Sequence, residues 1–145
     1  MRWLDLPPVW TVGHLVVLWL LPQWGGGAGR IWDVMGVALI SAAVVLMVWA
    51  VATMLARRTP VMPGQVPEAL VTGGPFVLSR NPIYLGDVLL LAGAALWWGP
   101  IWGIVLVVPL MTVLTLRFIL PEEARLRHRF GEEYEGWARR VRRWV

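Results

Sequence analysis

Two polar segments, each next to a long apolar block, contain the residues of this chain that could carry out chemistry. The first, residues 73–86, combines glycines and prolines with Arg80, Asn81 and Tyr84. The second begins at Glu122 and Glu123, directly after another apolar block. An arginine and a helix N-terminus can hold a carboxylate or phosphate, whereas glutamates can balance a cation or accept a proton. These residue types predict a polar-headed small molecule bound where the apolar blocks end.

The composition is that of a membrane protein. Of the 145 residues, 58% are hydrophobic and 15% are charged, whereas soluble domains are about 45–50% apolar and about 25% charged. The apolar residues are collected in blocks, and the length leaves no room for a second domain beside them. We therefore expect one all-α, polytopic membrane domain over residues 1–145. Residues 1–69 would supply the N-terminal spans and a loop, and residues 70–145 the cofactor-binding part.

The apolar blocks predict about four transmembrane helices, over Val9–Leu21, Val34–Ala56, Pro82–Trp98 and Ile101–Leu120. The second block is long enough to cross a hydrocarbon core of about 30 Å, and whether the third crosses completely stays open. A tight turn with aromatic anchors, residues 97–100, joins the last two blocks into a helical hairpin. The first block resembles a signal peptide, but the glycine segment 25–29 lacks a clear cleavage site, so we expect an uncleaved span.

The distribution of arginines predicts the orientation in the membrane. Arg30 lies on one side, whereas Arg2, Arg57, Arg58, Arg80 and the C-terminal arginines lie on the other. The positive-inside rule then places both termini and the loop after the second block in the cytoplasm. Both polar segments would face the same compartment, as a shared site requires.

The residues after 120 predict an amphipathic interfacial helix. A proline in the first turn, followed by two glutamates, is a favourable helix start, and Gly131 is where the helix would bend. We expect its apolar stripe to lie on the lipid surface and its arginines near anionic headgroups, at roughly 1 kcal/mol per basic residue. The stripe recurs at three- and four-residue steps and consists of Leu126, Phe130, Tyr134, Trp137, Val141 and Trp144.

Several other chemistries are poorly supported by the residues. The chain has no cysteine, which excludes disulfides and thiolate chemistry. His14 and His128 have no obvious ligand partners, so we expect no metal. Neither a serine beside a His/Asp pair nor a glycine-rich nucleotide fingerprint is present. The net charge of +4 lies mostly in C-terminal arginines interleaved with tryptophans, which favours membrane lipids as partners over nucleic acid.

Some of the polar residues also have a purely structural interpretation. Asp87 and Arg117 could neutralise each other across the predicted hairpin, since charges in hydrocarbon usually pair. Asn81 and Pro82 fit the cap and the first position of a helix. The second interpretation is compatible with function, because a helix start can also bind an anion.

The two polar segments resemble the motifs of a known enzyme superfamily. Residues 70–86 resemble the arginine–histidine/asparagine–proline–x–tyrosine motif of the isoprenylcysteine carboxyl methyltransferase and phospholipid methyltransferase families. Residues 122–134, with the ending Val141–Trp144, resemble their C-terminal motif. The resemblance covers residues 70–145. It implies a small bacterial-type member in the inner membrane that transfers a methyl group from S-adenosylmethionine to a lipophilic or lipid-anchored acceptor.

The resemblance also implies which residues form the site, at the cytoplasmic ends of the last two spans and under the C-terminal segment. Methyl transfer would involve Arg117, Glu122 and Glu123. Arg80 and the amides near Asn81 would hold the carboxylate of the cofactor, and a glutamate would balance its cationic groups. The full set expected at the cofactor is Gly74, Pro75, Arg80, Asn81, Pro82, Tyr84, Leu85, Gly86, Glu122, Glu123, Phe130 and Tyr134.

The acceptor stays open between two chemistries. An isoprenylcysteine carboxylate, which we expect first, is already nucleophilic and needs only an orienting cation such as Arg117 or Arg80. A phospholipid amine must first lose a proton, for which Glu122 or Glu123 would be the base. Two other functions remain as alternatives: an NADPH-dependent sterol-reductase-like protein, and a membrane partner without enzymatic activity.

Overall fold

The structure is a computed structural model that describes residues 6–22, 29–61, 65 and 67–145. In these ranges the chain is all-helical, as predicted, and contains no β-strand. The predictions for Arg2 and for residues 25–28 fall outside the described residues. The α-helices in the described ranges are α1 (Pro7–Leu20), α2 (Arg30–Ala56), α3 (Pro82–Trp97), α4 (Val107–Leu114), α5 (Leu120–Phe130) and α6 (Glu132–Ala138).

Two helical segments in the described ranges are long and apolar enough to cross a membrane. One is α2, with 27 residues, and the other is the 30-residue segment Ile101–Phe130. The second segment joins a 3-10 turn (Ile101–Leu106), α4, a π-helical turn (Thr115–Ile119) and α5. With 14 and 16 residues, α1 and α3 are shorter than the roughly 20 residues that a crossing usually takes. By length, the structure therefore has two candidate spans where the sequence predicted four.

The central helix of the bundle is α3, and α2 packs along it at close range. A Cβ atom added to Gly93 of α3 would lie 2.7 Å from the carbonyl oxygen of Gly36 on α2. Small residues let apolar helices approach each other in this way. On its other side α3 contacts α1 and α4. These contacts bury much of α3, including the side chains of Tyr84 and Asp87.

The helices alternate in direction around α3. The start of α1, the end of α2 and the start of α3 line one groove, and the end of the Ile101–Phe130 segment brings Glu122 to the same place. At the opposite end of the bundle, Leu18 of α1 packs against Gly99 and Gly103. The two polar segments therefore lie at the same end of the bundle.

The apolar stripe of α5 and α6 packs against protein. Tyr134, Trp137 and Val141 are buried in a cluster that includes Phe76, and the Trp137 indole N–H donates to the Phe76 carbonyl oxygen at 3.3 Å. Gly131, with a φ of +50°, separates the two helices at the predicted bend. The prediction that this stripe lies on lipid is wrong for the three buried residues, because a three- and four-residue pattern does not reveal which apolar surface covers it.

Candidate active site

The segment Ser79–Asn81, which leads into α3, is fastened to the C-terminal end of the chain. The Arg80 backbone N–H donates to the Arg142 carbonyl oxygen at 3.0 Å. The Ser79 hydroxyl and the Asn81 side-chain amide donate to the Arg143 carbonyl oxygen at 3.2 and 3.0 Å. Asn81 occupies the cap position of α3, but its side chain makes no capping bond. The Asn81 side chain therefore binds the C-terminal end of the chain instead of capping α3.

A π-helical turn, Thr115–Ile119, precedes the two glutamates of α5. Its cause is Pro121, which has no N–H to donate to the Arg117 carbonyl and whose ring would crowd that oxygen in a regular α-helix. A widened turn relieves this conflict without ending the helix. The helix therefore continues into the polar segment, and Glu122 and Glu123 lie on a regular helical turn.

Glu123 lies at the centre of a buried cluster of charges. Arg143 donates to its two carboxylate oxygens, from Nε at 2.8 Å and from Nη2 at 2.7 Å. Arg80 Nη1 lies 3.4 Å from Glu123 Oε1 and donates to the Tyr134 hydroxyl oxygen at 3.0 Å. A two-point arginine–carboxylate pair is among the strongest hydrogen-bonded contacts in proteins. This cluster connects α5, α6, the Ser79–Asn81 segment and the C-terminal end.

The electrostatics of the cluster keep its arginine and tyrosine protonated. The hydrogen bonds to Glu123 raise the pKa of the Arg143 guanidinium. Burial, followed by the nearby Glu123 carboxylate, raises the pKa of the Tyr134 phenol. Tyr134 is therefore a neutral hydroxyl at physiological pH, and it accepts a hydrogen bond from Arg80.

Arg80 has an N–H group to offer to a ligand. Its side chain is only 13% exposed, yet its buried Nε has no hydrogen-bond partner among the described residues. An arginine carries five N–H donors, and a buried donor without a partner costs free energy. Arg80 also lines a small cavity and a larger groove at this end of the bundle, so an anion bound there can satisfy it.

A small polar cavity of about 60 Å³ adjoins the charge cluster. One wall carries Arg80, Asn81, both glutamates and Tyr134, and the apolar surface comes from Phe76, Leu126 and Trp137. The opposite wall is formed by described residues of the loop between α2 and α3, among them Thr59, Gln65 and Leu70. The cavity thus offers both signs of charge beside apolar and aromatic surface.

A larger groove of about 450 Å³ lies between α1 and α2, and α3 lines it as well. Its lining is mostly apolar, with Leu15 from α1, Met47 and Val51 from α2 and Leu90 from α3 among the contributors. The groove and the small cavity share one wall, which we call the shared wall and which consists of Met54, Phe76, Arg80, Asn81 and Glu122. A polar site and an apolar site thus meet at Arg80, Asn81 and Glu122.

Among the described residues, two carboxylates line the groove. Asp87 is 6% exposed and contacts Thr11 of α1. Glu122 accepts a hydrogen bond from the Tyr84 hydroxyl at 3.3 Å. The Arg117 guanidinium lies 5.3 Å from the centre of the Trp10 ring. Asp87 and Arg117 thus contact α1 at different residues, and the structure does not show the alternative in which they neutralise each other.

The structure brings together only part of the residue set that the sequence predicted. Arg80, Asn81, Pro82, Tyr84, Glu122, Glu123 and Tyr134 line at least one of the two cavities. The remaining residues line neither cavity. Gly74 and Gly86 pack against α2, Phe130 packs against the cluster around Trp137, and Arg117 contacts Trp10. Pro75 is buried and Leu85 is half-buried.

Among the residues that sequence reasoning missed, two contact a carboxylate of this region. Thr11 lines the groove beside Asp87, and Arg143 holds Glu123. A threonine within an apolar block carries little signal, because its hydroxyl commonly bonds to the helix backbone, as Thr11 also does with the Pro7 carbonyl oxygen. Arg143 belongs to the C-terminal ending that resembles the methyltransferase motif, but nothing in the pattern separates it from neighbouring arginines.

Comparison with known proteins identifies one family. The family model described as phospholipid methyltransferase matches residues 31–133, and this family belongs to the isoprenylcysteine carboxyl methyltransferase-type superfamily. The matched range contains the shared wall and both glutamates and ends before Arg143. Neither a curated protein nor a solved structure matches the chain.

Proposed function

The chain belongs to the phospholipid methyltransferase family, and we propose that it transfers a methyl group from S-adenosylmethionine to an amine-bearing lipid in the membrane. Membership of this family supports a membrane methyltransferase that uses a methyl donor of the S-adenosylmethionine type. The observation that carries the proposal is the meeting of a polar cavity and an apolar groove at Arg80, Asn81 and Glu122. A methyl donor with a polar head and a lipophilic acceptor need this combination of surfaces.

The residues of the polar cavity fit the amino-acid end of the cofactor. Arg80, whose Nε has no partner among the described residues, and the Asn81 side chain would hold the carboxylate. Of the two glutamates, Glu123 already binds Arg143 through both oxygens, which leaves Glu122 for the acceptor. Pockets for ligands of this class measure about 300–1,000 Å³, so the 60 Å³ cavity accommodates this end rather than the whole molecule.

The groove carries the features that an acceptor site needs. Its apolar lining suits acyl chains, and its position between α1 and α2 suits approach from the side of the lipid. The cofactor supplies an electrophilic methyl group on a sulfonium sulfur. Glu122 lines both cavities and accepts a hydrogen bond from the Tyr84 hydroxyl, so it would be the base that takes the proton from the acceptor amine. Holding the two reactants side by side at the shared wall is the main catalytic contribution.

The charges of the groove favour an amine over a carboxylate as acceptor. Asp87 and Glu122 both line it, and Arg80 is the one basic side chain among the described residues of its lining. A carboxylate acceptor would add a third acidic group to this apolar space, where like charges are costly. Of the two arginines expected to orient an isoprenylcysteine-like carboxylate, Arg117 contacts Trp10, and Arg80 is assigned to the carboxylate of the cofactor. The phospholipid-type amine is therefore favoured over the isoprenylcysteine-like carboxylate.

We further propose that all four apolar helical segments cross the bilayer, with the site and both termini on the cytoplasmic side. The alternating direction of α1, α2, α3 and the Ile101–Phe130 segment supports this topology. Arg57 and Arg58 follow the end of α2 at the site, whereas Arg30 begins α2 at the other end, as the positive-inside rule requires. With 14 residues, α1 spans about 21 Å, and a bilayer accommodates a short helix by local thinning. The arginines of α5 and of the C-terminal end would then contact headgroups.

Calorimetric binding of S-adenosylmethionine to the purified protein in detergent tests the cofactor site. We expect the wild type to bind and Arg80→Ala to bind about 10- to 150-fold more weakly, because a hydrogen bond to a charged group contributes about 1.5–3 kcal/mol. Arg57→Ala removes an exposed arginine outside both cavities and is the matched control. Absence of binding to well-folded wild type, or equal affinities of the two variants, would refute the assignment.

A further inference from the structure

Arg143, near the C-terminal end, makes polar contacts with both polar segments. Its guanidinium binds both carboxylate oxygens of Glu123, and its carbonyl oxygen accepts hydrogen bonds from Ser79 and Asn81. It lies outside the residues that the family model matches. The side-chain contact and the backbone contacts are separable, because a substitution at residue 143 removes the first and keeps the second.

Glu123 has two basic neighbours at unequal distances. Arg143 approaches it to 2.7 and 2.8 Å, whereas the nearest nitrogen of Arg80 lies 3.4 Å away. A carboxylate that loses a two-point partner turns toward the nearest remaining cation, since a buried charge without a partner is costly. Without the Arg143 side chain, the nearest cation to Glu123 among the described residues is Arg80, whose Nη1 already forms an ion pair with Glu123 Oε1 at 3.4 Å.

We propose that Arg143 is a positioning residue that occupies Glu123 and thereby keeps Arg80 available for the carboxylate of the cofactor. The inference rests on the proposed cofactor site at Arg80. Arg80 Nε has no partner among the described residues, which is the arrangement expected while Arg143 holds Glu123. Without Arg143, Glu123 draws the Arg80 guanidinium toward itself and competes with the cofactor carboxylate for it, and its negative charge repels that carboxylate.

This role predicts an effect that a simple structural clamp does not. Arg143→Ala weakens S-adenosylmethionine binding about tenfold to hundredfold, the range of a lost charge-assisted contact. Adding Glu123→Gln to Arg143→Ala removes the competitor and restores most of the affinity. If Arg143 only fastened the C-terminal end, the double variant would bind S-adenosylmethionine as weakly as Arg143→Ala does, or more weakly.

A second readout depends on the ligand. Decarboxylated S-adenosylmethionine lacks the group that Arg80 is proposed to hold, so its affinity stays the same in Arg143→Ala. A structural clamp would affect both ligands alike. Arg143→Lys keeps the charge but loses the two-point geometry, so we expect an intermediate loss for the complete cofactor. This variant also provides the comparison between the two ligands if Arg143→Ala does not fold.

The experiment is calorimetry of both ligands with the full chain and the variants, with Arg140→Ala as control because Arg140 is an exposed neighbour of equal charge. Selective loss of S-adenosylmethionine binding in Arg143→Ala and its recovery in the double variant support the inference. Wild-type binding with equal affinities for Arg143→Ala and Arg140→Ala would overturn the inference and leave the proposed function standing. No binding to the wild type would overturn both.

Discussion

Replacing Asp87 by asparagine is the sharpest perturbation of the acceptor groove. The Asp87 side chain is 6% exposed and contacts Thr11 across the groove. Asparagine has nearly the same size and can retain a polar contact with Thr11. The substitution therefore removes one negative charge from the groove and leaves its shape unchanged.

The expected magnitude follows from the type of contact that is lost. A carboxylate is expected to bind an ammonium group about 1–2 kcal/mol more strongly than a neutral amide does, because the contact with two charged partners is the stronger one. The difference of about 1–2 kcal/mol corresponds to a fall of roughly 5- to 30-fold in kcat/KM for an amine-bearing lipid. Asp87 does not line the small cavity, so the affinity for S-adenosylmethionine stays unchanged.

The assay measures initial rates of methyl transfer from tritiated S-adenosylmethionine to vesicles of phosphatidylethanolamine and phosphatidylglycerol. Asp33→Asn makes the same change of charge at an exposed position of α2 and serves as control. Equal kcat/KM values for the two variants would refute the assignment of Asp87 to the acceptor. A loss of cofactor affinity in Asp87→Asn without a change in lipid kinetics would refute the division between the two cavities.

Two further predictions concern topology and packing. The chain has no cysteine, so Arg30→Cys and Arg57→Cys each introduce a single thiol. A membrane-impermeant maleimide should label only Arg30→Cys in intact cells and both variants after permeabilisation. Labelling of only Arg57→Cys in intact cells would contradict the proposed orientation. Gly93→Ala should lower the apparent Tm in detergent, since its Cβ would lie 2.7 Å from the Gly36 carbonyl oxygen and overpacking costs about 1–3 kcal/mol. Gly13→Ala, with no atom within 4 Å of the added Cβ, is the control, and equal Tm values would disprove the close contact.

The helical architecture was largely predictable from the distribution of apolar residues. An uncharged run predicted Val34–Ala56, and α2 ends at the same residue. The last span was expected to end at Leu120, whereas the helical segment continues to Phe130. Pro121 explains the difference, because a π-helical turn absorbs the missing hydrogen bond without ending the helix. Local signals identify helices well, but the response of the backbone to one proline depends on the packing around it.

The site was predictable where its residues are neighbours in sequence. The motif around Arg80 and the adjacent glutamates indicated the polar end of the bundle, but the sequence did not distinguish Glu122 from Glu123. Successive helical residues point about 100° apart, so the choice depends on helix rotation. In the structure Glu123 binds Arg143 and Glu122 binds Tyr84. Contacts of this kind, across 20 and 38 positions, arise from tertiary packing that residue spacing does not encode.

Tritium transfer followed by base treatment tests the proposed reaction most directly. The purified protein is incubated with methyl-labelled S-adenosylmethionine and phosphatidylethanolamine vesicles, and the lipid fraction is then treated with base. We expect labelled lipid whose radioactivity stays non-volatile after this treatment, because base does not cleave an N-methyl bond. Radioactivity released as volatile methanol would indicate a methyl ester, and unlabelled lipid from protein that binds the cofactor would indicate another acceptor. Either result would contradict the assignment of an amine-bearing phospholipid to the groove between α1 and α2.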